Sequence, residues 1–282
     1  MTSIAVRRQQ DISAEYISTK INNALYPRAL IEVWKKYKNN FGLKNITNLL
    51  YRVSRFEIGK DIRRETRNIV NSIMLNGGRI LRECDFQIAE DIVRVLEKQT
   101  IVNNHLLQAL ASRLLEQDAA LLKNSSIKGI CNIAKGFANL GIRREALFTG
   151  IGSILLDNEA ALLRRGCLLS IGDIIGIASS FAKIGIEHEY LFQTITNELL
   201  FRDGLYLKTC SAHQLVTFLD SCATLNFECE ELFEAIIDRF VDNRAWLLKQ
   251  CRSTELTSLV RSCARLHFQE DRLRAAITEH LS

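Results

Sequence analysis

The chain has 282 residues, 47% of them apolar and 24% charged, with a single proline and a net charge of +5. That is the composition of a folded protein, and no apolar run approaches the ~18 uncharged residues that a membrane-crossing helix needs. There is no strand-like alternation, HExxH, glycine-rich phosphate loop, nucleophile elbow or paired-carboxylate motif, so neither an enzyme nor a cofactor is expected.

The first ten residues, MTSIAVRRQQ, carry Arg7 and Arg8 and no acid, a faint transit-peptide character that Asp11 and Glu15 soon interrupt. Residues 1–45 read as an N-terminal extension with a first helix, and 46–282 as an α-solenoid of about six helical hairpins. Charge is lopsided: residues 1–83 hold 16 Lys/Arg against 7 Asp/Glu, a net of +9, and the remainder a net of −4. The excess gathers at Arg52, Arg55, Lys60, Arg63, Arg64 and Arg67, after Lys35, Lys36, Lys38 and Lys44. Such a cluster suits a phosphate-binding patch, with a merely solvated face as the alternative.

From there on a block recurs with a period of about 41–44 residues. RLLEQDAALLKN (Arg113 to Asn124) returns as ILLDNEAALLRR (Ile154 to Arg165), with six of twelve positions identical. Weaker copies are FRDGLYLK from Phe201, VDNRAWLLK from Val241, and NSIMLNGGRILR from Asn71. A period of this size means stacked supersecondary units, each unable to bury its apolar face alone.

Each unit reads as helix A followed by helix B. Ile130, Ile133, Ala134, Phe137, Ala138 and Leu140 form the apolar stripe of one A helix, and Leu147, Phe148, Ile151, Ile154 and Leu155 that of its B helix. The next unit repeats 10 of the 19 residues from Ile130 to Phe148. Ser126, Ser170 and Ser211 stand where N-caps are needed, and Ser170 with Asp173 and Ser211 with Gln214 resemble capping boxes. Gly141, Gly185, Asn226 and His267 fall just past the A stripes, where a left-handed residue would close the helix. The last segment, from Arg272, reads as a short terminal helix.

The period also places the scattered residues. Cys210 and Cys251, like Cys222 and Cys263, are 41 apart, so these cysteines read as core positions in a reduced compartment; no Cys/His spacing suits zinc. The five histidines form no cluster. Off the stripe, helix A presents columns: Asn132, Gly176, Thr217, Ser258; Lys135, Ser179, Asp220, Arg261; Gly136, Ser180, Ser221, Ser262; and Asn139, Lys183, Thr224, Arg265. The third, uniformly small, reads as close helix packing. Lys135, Asn139, Ser179, Lys183, Thr224, Arg261 and Arg265 suit a surface contacting successive nucleotides, and equally an ordinary polar face.

The strings IAKGFANLGIRREALF and IASSFAKIGIEHEYLF resemble the heptatricopeptide repeats of apicomplexan and related protist mitochondria, and are similar to octotricopeptide and Fas-activated serine/threonine kinase-like repeats. LIEVWKKY (Leu30 to Tyr37) resembles the start of such arrays. The likeness spans about Ile46 to Leu281, with a repeat longer than the family's usual unit. It implies an α-solenoid in the mitochondrial matrix that binds RNA, ribosomal RNA included, without catalysis, alongside neighbouring proteins of a large assembly. The RAP domain that ends many members is expected to be missing, because the helical pattern runs to Ser282. The alternative is a protein–protein scaffold subunit of a mitochondrial membrane complex.

Overall fold

The computed structural model describes residues 13–57, 59–74, 79–164, 169–267 and 271–281. Arg7 and Arg8, and parts of the blocks starting at Asn71 and Ile154, lie outside them. All regular structure among the described residues is helical. The chain divides into two compact units, 1–114 and 115–282.

The first unit holds α1 (Ala14–Asn23), α2 (Pro27–Tyr37), α3 (Leu43–Ser54), α4 (Lys60–Ser72), α5 (Phe86–Lys98) and most of α6 (Asn104–Lys123). The boundary expected at residue 46 falls inside α3, and the two helices before it already stack, α1 on α3 and α2 on α4, while α3 packs on α5. Pro27 takes the first helical position of α2, where no amide hydrogen is missed. Asn45, only 3% exposed, is satisfied by accepting from the Ser18 hydroxyl (2.8 Å) and donating to the Ala14 carbonyl (3.2 Å).

The second unit holds α7 (Ile127–Asn139), α8 (Glu145–Arg164), α9 (Ile171–Lys183), α10 (Glu189–Thr209), α11 (Ala212–Leu225), α12 (Glu230–Gln250), α13 (Ser253–Arg265) and α14 (Asp271–Leu281). Odd-numbered helices pack on odd and even on even, giving an A layer and a B layer of stacked hairpins. The expected stripes are buried in full, from Ile130 to Leu140 in α7 and from Leu147 to Leu155 in α8. Ser126, Ser170 and Ser211 each accept from the third helical amide, and both capping boxes form. Gly141, Gly185, Asn226 and His267 all have φ between +51° and +71°. The small column (Gly136, Ser180, Ser221, Ser262) is buried, and Ser180 and Ser221 return their hydroxyls to carbonyls four residues back.

The third hairpin swaps large and small residues within this core, and the fourth keeps the small one. Ile133 with Phe137 and Ile177 with Phe181 become Phe218 with Cys222 and Leu259 with Cys263 in the later hairpins, all buried. Cysteine is therefore the small partner beside Phe218, and burial pushes the Cys222 thiol up. Cys210 is buried in the core as expected, whereas Cys251 departs from that role. They end α10 and α12, each directing its thiol to a carbonyl four residues back, and Cys251 is only half-buried.

In two copies, in α6 and α10, the recurring block contains a left-handed break in the helix. In α6, Gln117, Asp118 and Ala119 take left-handed angles, and Gly204 (φ +68°) stands at the repeat position of Ala119 in α10. On either side of the break sit buried leucines, Leu114 and Leu122 in α6 and Leu199 and Leu207 in α10. Eight residues of continuous helix would rotate the second leucine about 80° from the first, so a local break helps return it to the core.

Gly152 in α8 is demanded by packing. A Cβ there would lie 2.4 Å from Nε2 of His188, whose ring meets the Phe181 ring edge-on at 5.9 Å. Burial also lowers the His188 pKa, favouring the neutral ring. Gly152→Ala should cost about 1–3 kcal/mol in urea unfolding, the usual penalty for overpacking.

Candidate nucleic-acid interface

In the first unit the basic residues separate into two roles. Arg52 is structural: its guanidinium donates to the carbonyls of Asn22 (2.8 Å) and Ala24 (2.9 Å), closing the C-terminal end of α1. Arg55, the residue capping α3, is exposed. Lys60, Arg63, Arg64 and Arg67 lie on α4 within an arc of about 100°, and all four are exposed. The α4 acids point to one flank. Glu65 is bound by Lys35 at 3.0 Å, which holds its carboxyl below the usual range, and Asp61 lies a loose 4.0 Å from Arg64. Among the described residues Lys60, Arg63 and Arg67 have no anionic partner. Beside them, a groove of about 740 Å³ between α2 and α4 is lined by Tyr26, Arg28, Lys35, Lys60 and Arg64 above an apolar floor that includes Ile31.

In the second unit the A layer brings four expected residues into one cavity of about 320 Å³: Lys135 and Asn139 from α7, and Ser179 and Lys183 from α9. Lys183 donates to the Asn139 side-chain oxygen at 2.8 Å, bridging neighbouring hairpins. Thr224, Arg261 and Arg265 do not line this cavity; they are exposed on α11 and α13, the two arginines one turn apart. Asp220 accepts from Ser262 at 3.4 Å, a packing role between hairpins.

The cavity's other walls include Gly176 and Thr217, which share the first off-stripe column, and Gln214 of a capping box, none of them expected as a contact residue. His213, Gln214 and Thr217 of α11 form one side, and Gly172 and Gly176 of α9 the base. The available sign was two glycines one turn apart inside a helix, where each costs about 1 kcal/mol relative to alanine.

A second inter-hairpin link recurs along the A layer. The second residue of one helix reaches the N-terminal acid of the next: Lys128 pairs with Asp173, and His213 Nδ1 lies 2.9 Å from Glu255. Between them, Gly172 offers no side chain to Gln214, so the ladder has a gap at α9.

No family model matches the sequence, and no curated protein matches it.

Two outcomes follow from these contacts. Arg52→Ala should lower unfolding stability by about 1 kcal/mol through its lost hydrogen bonds, whereas Arg63→Ala should change it by no more than about 0.5 kcal/mol; chemical denaturation reads both. The Glu255 carboxyl is held low by the Arg252 amide (2.8 Å) and by His213. Its folded pKa lies below its unfolded value, so its contribution is complete above about pH 4.5 and is lost as pH falls through the folded pKa. Glu255→Gln should flatten that part of an acid-denaturation curve.

Proposed function

We propose that the chain is a non-catalytic RNA-binding protein, a structural component of a mitochondrial ribosome or another mitochondrial ribonucleoprotein. The observation that carries this reading is the α4 stripe: four exposed cations on one arc, three without an anionic partner among the described residues. A polyanion neutralises such a row by releasing its own counterions. Lys135 and Lys183, on the A layer of the second unit, add cations next to hydrogen-bonding side chains, the mixture that single-stranded RNA needs. The mitochondrial setting rests on the resemblance of IAKGFANLGIRREALF to heptatricopeptide repeats.

A protein–protein scaffold is the second reading. It is favoured by Phe201, Leu205 and Trp246 on the B helices, each about half exposed.

Filter binding to single-stranded RNA across a salt series separates the two. RNA binding should weaken linearly on a log–log plot, and Arg63→Ala with Arg67→Ala should reduce the slope by about 1.4, the share of two phosphate contacts. No binding at low salt, or a flat salt response, contradicts the RNA reading.

A further inference from the structure

The cavity on the A layer of the second unit exists because α9 lacks two side chains. At the repeat positions of Gly172 the neighbouring A helices carry Lys128 and His213, and at those of Gly176 they carry Asn132 and Thr217. Neither glycine is required by the fold. A Cβ at Gly176 would meet nothing within 4 Å, and at Gly172 the nearest foreign atom is the far end of Gln214, at 3.2 Å. Both sit inside a regular helix, where alanine is preferred. The result is a notch one helix wide, walled by α7 and α11.

Its lining is specific in character. The floor is the open stretch of α9 at Gly172 and Gly176 with the edge of the largely buried Ile175, and Ser179 adds a hydroxyl. The Gln214 side-chain oxygen is held by the Ser211 amide at 2.9 Å in the α11 capping box, which turns its NH₂ group toward Gly172 as a fixed donor. Thr217 donates its proton to the His213 carbonyl, leaving its oxygen to accept. Lys135 and Lys183 stand on the rim. A volume of about 320 Å³ is at the lower end of the roughly 300–1,000 Å³ usual for small organic ligands.

We propose that this notch seats one unstacked base of a single-stranded RNA, its face on the open floor at Gly172 and Gly176 beside the edge of Ile175, its edge read by Gln214 and Thr217, and its flanking phosphates held by Lys135 and Lys183. The proposal rests on the RNA reading above and adds a site to it. Bases removed from a stack are recognised by a face and a hydrogen-bonding edge together, and this lining provides both.

The test uses the full chain with labelled ten-nucleotide homopolymers and with an oligonucleotide carrying 4-thiouridine. Photocrosslinks should concentrate within residues 135–139, 171–183 and 213–217, the three segments that line the notch. Gly176→Ala should raise the melting temperature and leave RNA affinity nearly unchanged. Gly176→Leu, equally compatible with helix and with the open space above it, should weaken the preferred homopolymer about tenfold and reduce the preference among homopolymers, with the salt slope unchanged. Nucleoside monophosphates at concentrations comparable to the oligonucleotide should not compete.

If Gly176→Leu binds every homopolymer as the unaltered chain does, or crosslinks fall elsewhere, the notch is not the base site, although RNA binding itself would stand. Effective competition by a mononucleotide would make the ligand a free nucleotide and overturn the proposal. Failure of the unaltered chain to bind any RNA would remove both readings.

Discussion

In the second unit, the array depends on one repeated contact, a buried B-helix phenylalanine seated against the A helix of the next hairpin. Phe148 meets Phe181 edge-on with ring centres 5.1 Å apart, and Phe192 stacks on Phe218 at 6.3 Å. Phe233 is buried at the same B-helix position one hairpin later. A hairpin alone leaves this ring in water, so its stability comes from its neighbour. Cys222 follows from this packing, since Phe218 four positions earlier takes the volume that Phe137 and Phe181 fill in the preceding hairpins.

Once the apolar side is committed to stacking, the outward faces of the A helices are free to vary. They do so in two ways. Some positions link hairpins, as Lys128 does with Asp173 and Lys183 with Asn139. Others leave space, as Gly172 and Gly176 do. A surface made only of links would read as structure. Half-buried glycines in a well-capped helix, beside lysines and a donor fixed by a capping box, are the observation on which the proposed base site rests.

Much of this was legible in the sequence, because the features that fix local backbone are themselves local. Ser170 with Asp173, Ser211 with Gln214, and the left-handed Gly141, Gly185, Asn226 and His267 declare the ends of helices within four residues. The stripes follow from a 3.6-residue period. What the sequence hid depends on distant partners. Arg52 looks like its neighbours Arg55 and Arg63 until its guanidinium is found on carbonyls 28 and 30 residues away. Gly152 and Gly176 are both helical glycines, yet one is filled by His188 and the other faces open space. The best-repeated string, around Gln117 to Ala119, sets the period in the sequence but does not announce the left-handed break it contains.

RNA binding by the stacked hairpins is tested most directly in the cell's own assembly. The chain can be isolated with its natural partners from its own cells, with and without ribonuclease, at low and high salt. The account predicts that RNA accompanies it, that raising salt releases that RNA, and that ribonuclease strips away the rest of the assembly. A complex of proteins alone, unchanged by ribonuclease, would contradict it.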